Sequence, residues 1–119
     1  MVIRGGRDTP DKLRSHAQRT ARAWSLDGHP LLGISVFALV GVSLDKLLSQ
    51  RFSTFRTIYI TAASQLTSHD FELLPTGQRP HYTVRLLRAD DSELAKLLAA
   101  LGTPQDNPQY ARSTWREEG

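Results

Sequence analysis

The residues best suited to chemistry lie in one short segment, residues 80–84, which reads PHYTV. His81 and Thr83 are two positions apart, so on a strand their side chains point to the same face, where an imidazole and a hydroxyl can both contact a phosphate. Arg79 and Arg85 flank the segment and add positive charge. This spacing predicts a phosphate-binding site, with His81 as the catalytic group if the protein is an enzyme.

The spacing of His81 and Thr83 resembles one half of the paired His-x-Thr motifs of two-histidine phosphoesterases. That family uses two such motifs, one as acid and one as base, whereas the other histidines of this chain lie in SHAQ, GHPL and SHDF. An alternating strand offers a second interpretation, in which His81, Thr83 and Arg85 simply form its solvent-facing side. The residues alone leave both interpretations open.

Further basic and aromatic residues would join this face if the neighbouring strands lie side by side. Mixed basic and aromatic side chains on a sheet are typical of small RNA-binding and RNA-cleaving domains, including toxin ribonucleases. Tyr59 would then stack on a base or assist His81. The candidate phosphate contacts are Arg51, Arg56, Arg79, Thr83 and Arg85.

The sequence predicts no metal site and no cofactor. His69, Asp70 and Glu72 are close in sequence, but adjacent strand positions diverge, and His69 is better placed to cap the end of a helix. The pair Gly5 and Gly6 lacks the lysine and the spacing of a phosphate-binding loop.

Composition and charge limit the function classes. The 119 residues contain no cysteine, which excludes disulfides, thiolate metal sites and thiol nucleophiles. The net charge of +3 is unevenly distributed: residues 1–30 and 31–88 each hold six basic and three acidic side chains, and residues 89–119 hold three and six. Such an excess favours phosphate-bearing partners only mildly.

The longest apolar run, residues 31–44, is shorter than the roughly 20 residues that a membrane-spanning helix needs, and glycine and serine interrupt it. Residues 1–10 show no apolar segment typical of a secretion signal. We therefore expect a cytoplasmic protein without membrane association.

Four helices are predicted from apolar periodicity and from their terminal residues. Thr9 and Pro10 are typical of a helix start, Ser43 and Asp90 are good N-caps, and Gly102 favours a helix end. The predicted helices cover residues 10–24, 43–52, 62–68 and 91–101.

The predicted fold is α+β, with a small mixed sheet of about four strands at residues 31–40, 56–60, 71–74 and 81–87. Residues 31–40 are apolar at nearly every position, which indicates a central strand covered on both faces. The strands at 31–40 and 56–60 flank a helix, and this βαβ order favours parallel pairing with a right-handed crossover. The strands at 71–74 and 81–87 are separated by PTGQRP, which predicts a loop between antiparallel strands.

The predicted organisation is one domain, residues 10–102, with its core between Leu31 and Leu101. Residues 1–9 are expected to be an extension, and residues 103–119 a polar tail. Tyr110 and Trp115 are aromatic residues within this tail, and they are candidates for docking on a partner or on the protein itself.

Two functions remain open. One is a small, basic, non-catalytic module that binds a partner protein, RNA or DNA. The other is a metal-independent nuclease or phosphate-transferring enzyme, resembling a toxin and centred on His81 with Tyr59. Either would be compatible with a toxin-antitoxin system, and the oligomeric state is open.

Overall fold

The computed structural model describes residues 1–26, 28–78 and 80–110. The helices in these ranges are α1 (Pro10–Ala23), α2 (Leu44–Arg51), α3 (Ala63–Ser68) and α4 (Asp91–Leu101). The strands are β1 (Val2–Gly5), β2 (Ser25–Leu26), β3 (His29–Pro30), β4 (Gly33–Ala38), β5 (Thr57–Thr61), β6 (Glu72–Pro75), β7 (His81–Arg85) and β8 (Gln105–Asp106). None of these helices is long and apolar enough to cross a membrane.

Local hydrogen bonds define the helix ends that the sequence predicts. The side chains of Thr9, Ser43 and Asp90 each accept a bond from the backbone N–H three residues ahead, at the starts of α1, α2 and α4. Gly102 ends α4 with φ of 80°, a conformation that glycine adopts without a Cβ clash. Because these signals are local, the helix predictions agree with the structure to within one residue at each end.

The α+β class is confirmed, but the sheet is larger than the predicted four strands. Six of the described strands form one antiparallel sheet in the order β6-β7-β4-β1-β5-β8, and β2 and β3 form a separate ribbon. The predicted parallel pairing is wrong. Strands β4 and β5 do run in the same direction, but β1 lies between them and pairs antiparallel with both.

Both ends of the chain contribute to this sheet. Residues 1–9, expected to be an extension, include β1, an inner strand that is too short to show a period in the sequence. The segment after Gly102, expected to be a tail, supplies the edge strand β8, which pairs with β5. Just after β8, the buried Asn107 donates hydrogen bonds to the carbonyls of Phe52 and Phe55.

The sheet is covered on both faces. One apolar cluster joins α1, α3 and α4 to the face that includes Val2 and Tyr59. The other joins α2 to the face that includes Ile3 and Ile58. Alternate residues of β1 and β5 belong to opposite clusters, as the period of a strand requires. The core therefore extends beyond the predicted limits of Leu31 and Leu101 to include β1 and α1.

Candidate functional site

The structure places His81 and Thr83 on one face of β7, and Thr76 joins them. The Thr76 hydroxyl lies 2.9 Å from Nδ1 of His81 and 2.8 Å from the hydroxyl of Thr83. The carbonyl of Thr76 is 3.0 Å from the same His81 nitrogen. Because a carbonyl can only accept, Nδ1 of His81 carries the proton and donates the hydrogen bond. Thr83 is 1% exposed, so its hydroxyl is buried and is bonded to the hydroxyl of Thr76.

Tyr59 is not near His81. The His81 ring packs edge-on against Phe37, with their centroids 5.2 Å apart, and Phe37 belongs to the apolar cluster around α2. Tyr59 is 2% exposed in the cluster on the opposite face, where its hydroxyl accepts a bond from the backbone N–H of Asp8. The sheet therefore separates the two residues that the enzyme hypothesis places together.

Of the three described arginines predicted to bind phosphate, Arg51 lies near His81, since both contact the ring of Phe37, whereas Arg56 and Arg85 lie elsewhere. Each of the three has a local partner. Arg51 lies over the ring of Phe37, Arg56 lies over the ring of Tyr110, and Arg85 pairs with Glu72 at 3.2 Å. Strands β4 and β1 stand between β7, which carries Arg85, and β5, which follows Arg56.

Tyr110 was a candidate for docking on a partner or on the protein itself. In the structure its ring lies next to Arg56 of the same chain. Two residues of the predicted site, Arg79 and Trp115, lie outside the described residues.

A polar gap lies elsewhere in the sheet, between β1 and β4. Residues 2–5 of β1 all pair with β5, but only residues 2 and 3 pair with β4. The backbone of Ser35 in β4 instead contacts side chains: its N–H donates to Nε2 of His16 at 3.2 Å, and its carbonyl accepts from Nη1 of Arg4 at 2.8 Å. Arg4 and His16 thus satisfy the groups that a neighbouring strand would otherwise bind.

Arg4 is also half of a buried ion pair. Its Nε and Nη2 donate to the carboxylate of Asp8 at 2.7 and 3.2 Å, and the two side chains are 10% and 7% exposed. The two parallel bonds match the planar guanidinium to the carboxylate. With the bond from Asp8 to Tyr59, this pair ties the turn between β1 and α1 to the sheet.

His16 is held in its neutral form. The pKa of His16 is lowered from 6.5 to about 4, first by burial and then by the nearby charges of Arg4 and Arg19, with Asp8 opposing the shift and His81 adding to it. The hydrogen bond agrees with this direction, because a backbone N–H can only donate, so Nε2 of His16 must present a lone pair. The single proton of the neutral ring is therefore on Nδ1.

A cavity of about 610 Å³ opens to solvent beside this gap, and we call it the basic cleft. It lies within the range of roughly 300–1,000 Å³ that is typical of small-ligand pockets. The turn between β1 and α1, the first three turns of α1, Ser35 and the ring of Phe55 form its walls. The charged groups that line it are Arg4, Arg7, Asp8, Asp11, Lys12 and Arg19.

The net charge of the basic cleft is positive because four cations but only two carboxylates line it, and both carboxylates are paired. Asp8 pairs with Arg4, and Asp11 pairs with Arg14, which lies outside the lining, at 3.0 Å. Arg7, Lys12 and Arg19 form no ion pair with any residue in the described ranges. Three cations thus have no carboxylate partner in these ranges, although Lys12 donates a hydrogen bond to the carbonyl of Arg7.

This site was not among those predicted from the sequence, although a signal is present in α1. Lys12, His16 and Arg19 recur at i, i+4 and i+7, so they share one helical face beside the apolar face that packs on the sheet. The contribution of Arg4 and Ser35 has no such signal, because they are 31 residues apart and meet only through the sheet.

Within the described part of the chain, no group of three or more His, Asp or Glu side chains is arranged to hold a metal ion. Comparison of the chain with protein-family models, curated proteins and solved structures finds no match in any of the three. The geometry of the basic cleft is therefore the basis for inferring a function.

Proposed function

We propose that this protein is a small, non-catalytic, nucleic-acid-binding module whose basic cleft holds backbone phosphates. One observation carries the proposal: Arg7, Lys12 and Arg19 line a nucleotide-sized cavity and pair with no described carboxylate. Cations that lie close together repel one another, and an anion bound in the cleft would relieve this repulsion.

The histidine in the cleft supports an anionic ligand. Because Nε2 of His16 accepts a bond from Ser35, its Nδ1 carries the proton, and Nδ1 lies 3.4 Å from Nη2 of Arg19. Both nitrogens are then donors, so neither satisfies the other. A phosphate oxygen placed between them would accept a hydrogen bond from each.

The same features support binding more than catalysis. A general base is most effective when its pKa is near the working pH, whereas the pKa of His16 is lowered to about 4. Its Nε2 is already occupied by Ser35. The imidazole is therefore suited to donating a fixed hydrogen bond.

The alternative, a metal-independent nuclease or phosphate-transferring enzyme centred on His81, has weaker support. It needs Tyr59 and several arginines near His81, and these residues lie on opposite faces or have other partners. It stays a prediction with a direct test: His81→Ala would abolish any nuclease activity of the pure protein, and an unchanged rate would remove the assignment.

The proposal is tested by fluorescence anisotropy with labelled 12-nucleotide single-stranded RNA and DNA over a series of salt concentrations. Three phosphate contacts with a single strand give a slope of about −2 for log K against log salt, since each contributes roughly 0.7. The variant with Arg7, Lys12 and Arg19 all changed to Gln should bind at least about tenfold more weakly and show a nearly flat salt response.

A matched control separates the cleft from overall charge. Changing Lys46, Arg88 and Lys96 to Gln removes three exposed cations outside the cleft and gives the same net charge. This variant should retain most of the affinity. Equal losses in both variants would contradict the proposal, as would an absence of binding to either strand at low salt, which would favour a protein partner instead.

A further inference from the structure

The ring of Phe55 is a large apolar side chain that lies in the wall of the basic cleft and is 38% exposed. An aromatic ring exposed in the wall of a cavity that cations also line is placed to stack on a ligand bound there. The other aromatic ring in this loop, Phe52, is 3% exposed and packs in the core.

Phe55 is held in place although it is exposed. Its backbone N–H donates to the carbonyl of Phe52, and its own carbonyl accepts a hydrogen bond from the buried side chain of Asn107 at 2.9 Å. The ring lies directly against Gly5, where a Cβ would be 2.4 Å from the ring. A residue other than glycine at this position would push the ring away, so the contact depends on Gly5.

The ring and the free cations share one cavity. Phe55 forms part of the wall, while Arg7, Lys12 and Arg19 line the rest. A ligand that satisfies both parts has a flat apolar group and a phosphate separated by a short linker. A nucleotide has this arrangement, with its base joined to its phosphate through one sugar.

We infer that the basic cleft binds an unpaired nucleotide, with its base stacked on Phe55 and its phosphates on the three cations. The inference rests on the proposed function and names its substrate class. A base inside a duplex is covered on both faces by its neighbours, so the preferred ligand is a single strand.

The experiment compares a mixed-sequence, 8-nucleotide single-stranded RNA with its duplex and with an abasic oligomer of equal phosphate number. Stacking of one base predicts that the single strand binds at least about fivefold more tightly than the abasic oligomer. Phe55→Leu should remove this difference and leave binding of the abasic oligomer unchanged, while Phe55→Tyr should keep the difference. Circular dichroism of each variant confirms that it folds.

The outcomes distinguish the inference from the proposed function. If the cation variant loses affinity for all three oligomers but Phe55→Leu binds as wild type, the cleft binds phosphate and the stacking inference is wrong. If neither variant changes affinity, the proposed function fails as well. The same assay is run with single-stranded DNA and with mononucleotides. Tight binding of a mononucleotide identifies a free nucleotide as the ligand. Binding of the longer strands alone identifies a nucleic acid.

Discussion

His16 of α1 and Ser35 of β4 are joined at the gap between β1 and β4: the Ser35 N–H donates to Nε2 of His16, and the Ser35 hydroxyl lies 3.2 Å from the same nitrogen. This contact satisfies the backbone of β4 where β1 no longer pairs with it. It also fixes which nitrogen of the ring faces the basic cleft. The same histidine thus completes the fold and shapes the site.

The first prediction concerns pH. The pKa of His16 is 6.5 when unperturbed and about 4 in the folded protein, because burial and then Arg4 and Arg19 disfavour the charged ring. Between these pH values the unfolded chain binds more protons than the folded chain, so the contribution of His16 to stability is complete above pH 6.5 and decreases as the pH falls toward 4. Urea denaturation at several pH values measures this loss.

His16→Gln provides the control for this prediction. The glutamine carbonyl can still accept from the Ser35 N–H, but it does not titrate, and all other ionisable groups stay the same. The free energy of unfolding of this variant should fall less steeply than that of the wild type between pH 6.5 and 4. Parallel curves for the two proteins would mean that His16 does not titrate differently on folding.

The second prediction concerns the ion pair between Arg4 and Asp8. Asp8→Ala leaves the guanidinium, 10% exposed, without its carboxylate, so we expect a loss of about 3 kcal/mol in the free energy of unfolding. The comparison is Glu72→Ala, which breaks the exposed pair with Arg85 and should cost less than about 1 kcal/mol. Chemical denaturation measures both, and similar losses would contradict the role of burial.

The third prediction tests whether the segment after α4 belongs to the fold. Asn107→Ala removes three hydrogen bonds, two to the carbonyls of Phe52 and Phe55 and one from the backbone N–H of Gln109, so stability should fall by about 2 kcal/mol. Gln105→Ala changes an exposed residue of the neighbouring strand β8 and should have an effect within about 0.5 kcal/mol. If Asn107→Ala is as mild as this control, Asn107 does not anchor this segment to the fold.

The fourth prediction concerns the close contact between β4 and β7. A Cβ at Gly33 would lie 2.2 Å from Cγ2 of Thr83, so Gly33→Ala should cost about 2 kcal/mol through overpacking. Thr83→Ser removes this methyl group and keeps the hydroxyl that contacts Thr76. The double variant should therefore recover part of the loss, measured by thermal and urea denaturation. Strictly additive losses would show that the methyl group is not the obstacle.

The helices and four of the eight described strands, β4 to β7, could be predicted from local sequence patterns. The N-caps Thr9, Ser43 and Asp90 act within one turn, and the apolar spacing of each helix is a property of that segment alone. The alternation of β7 likewise predicted the shared face of His81 and Thr83, because side chains of a strand alternate regardless of its neighbours.

The order of the strands and the place of the candidate site depend on contacts between distant segments of the chain. The four residues of β1 are too few to show the periodicity that would predict an inner strand. In the structure β1 lies between β4 and β5, so these two strands do not form the expected parallel pair. It also leaves the backbone of Ser35 open to Arg4 and His16. These groups are distant in the chain, so their meeting depends on which strands pair, and local sequence patterns do not encode pairing between distant strands.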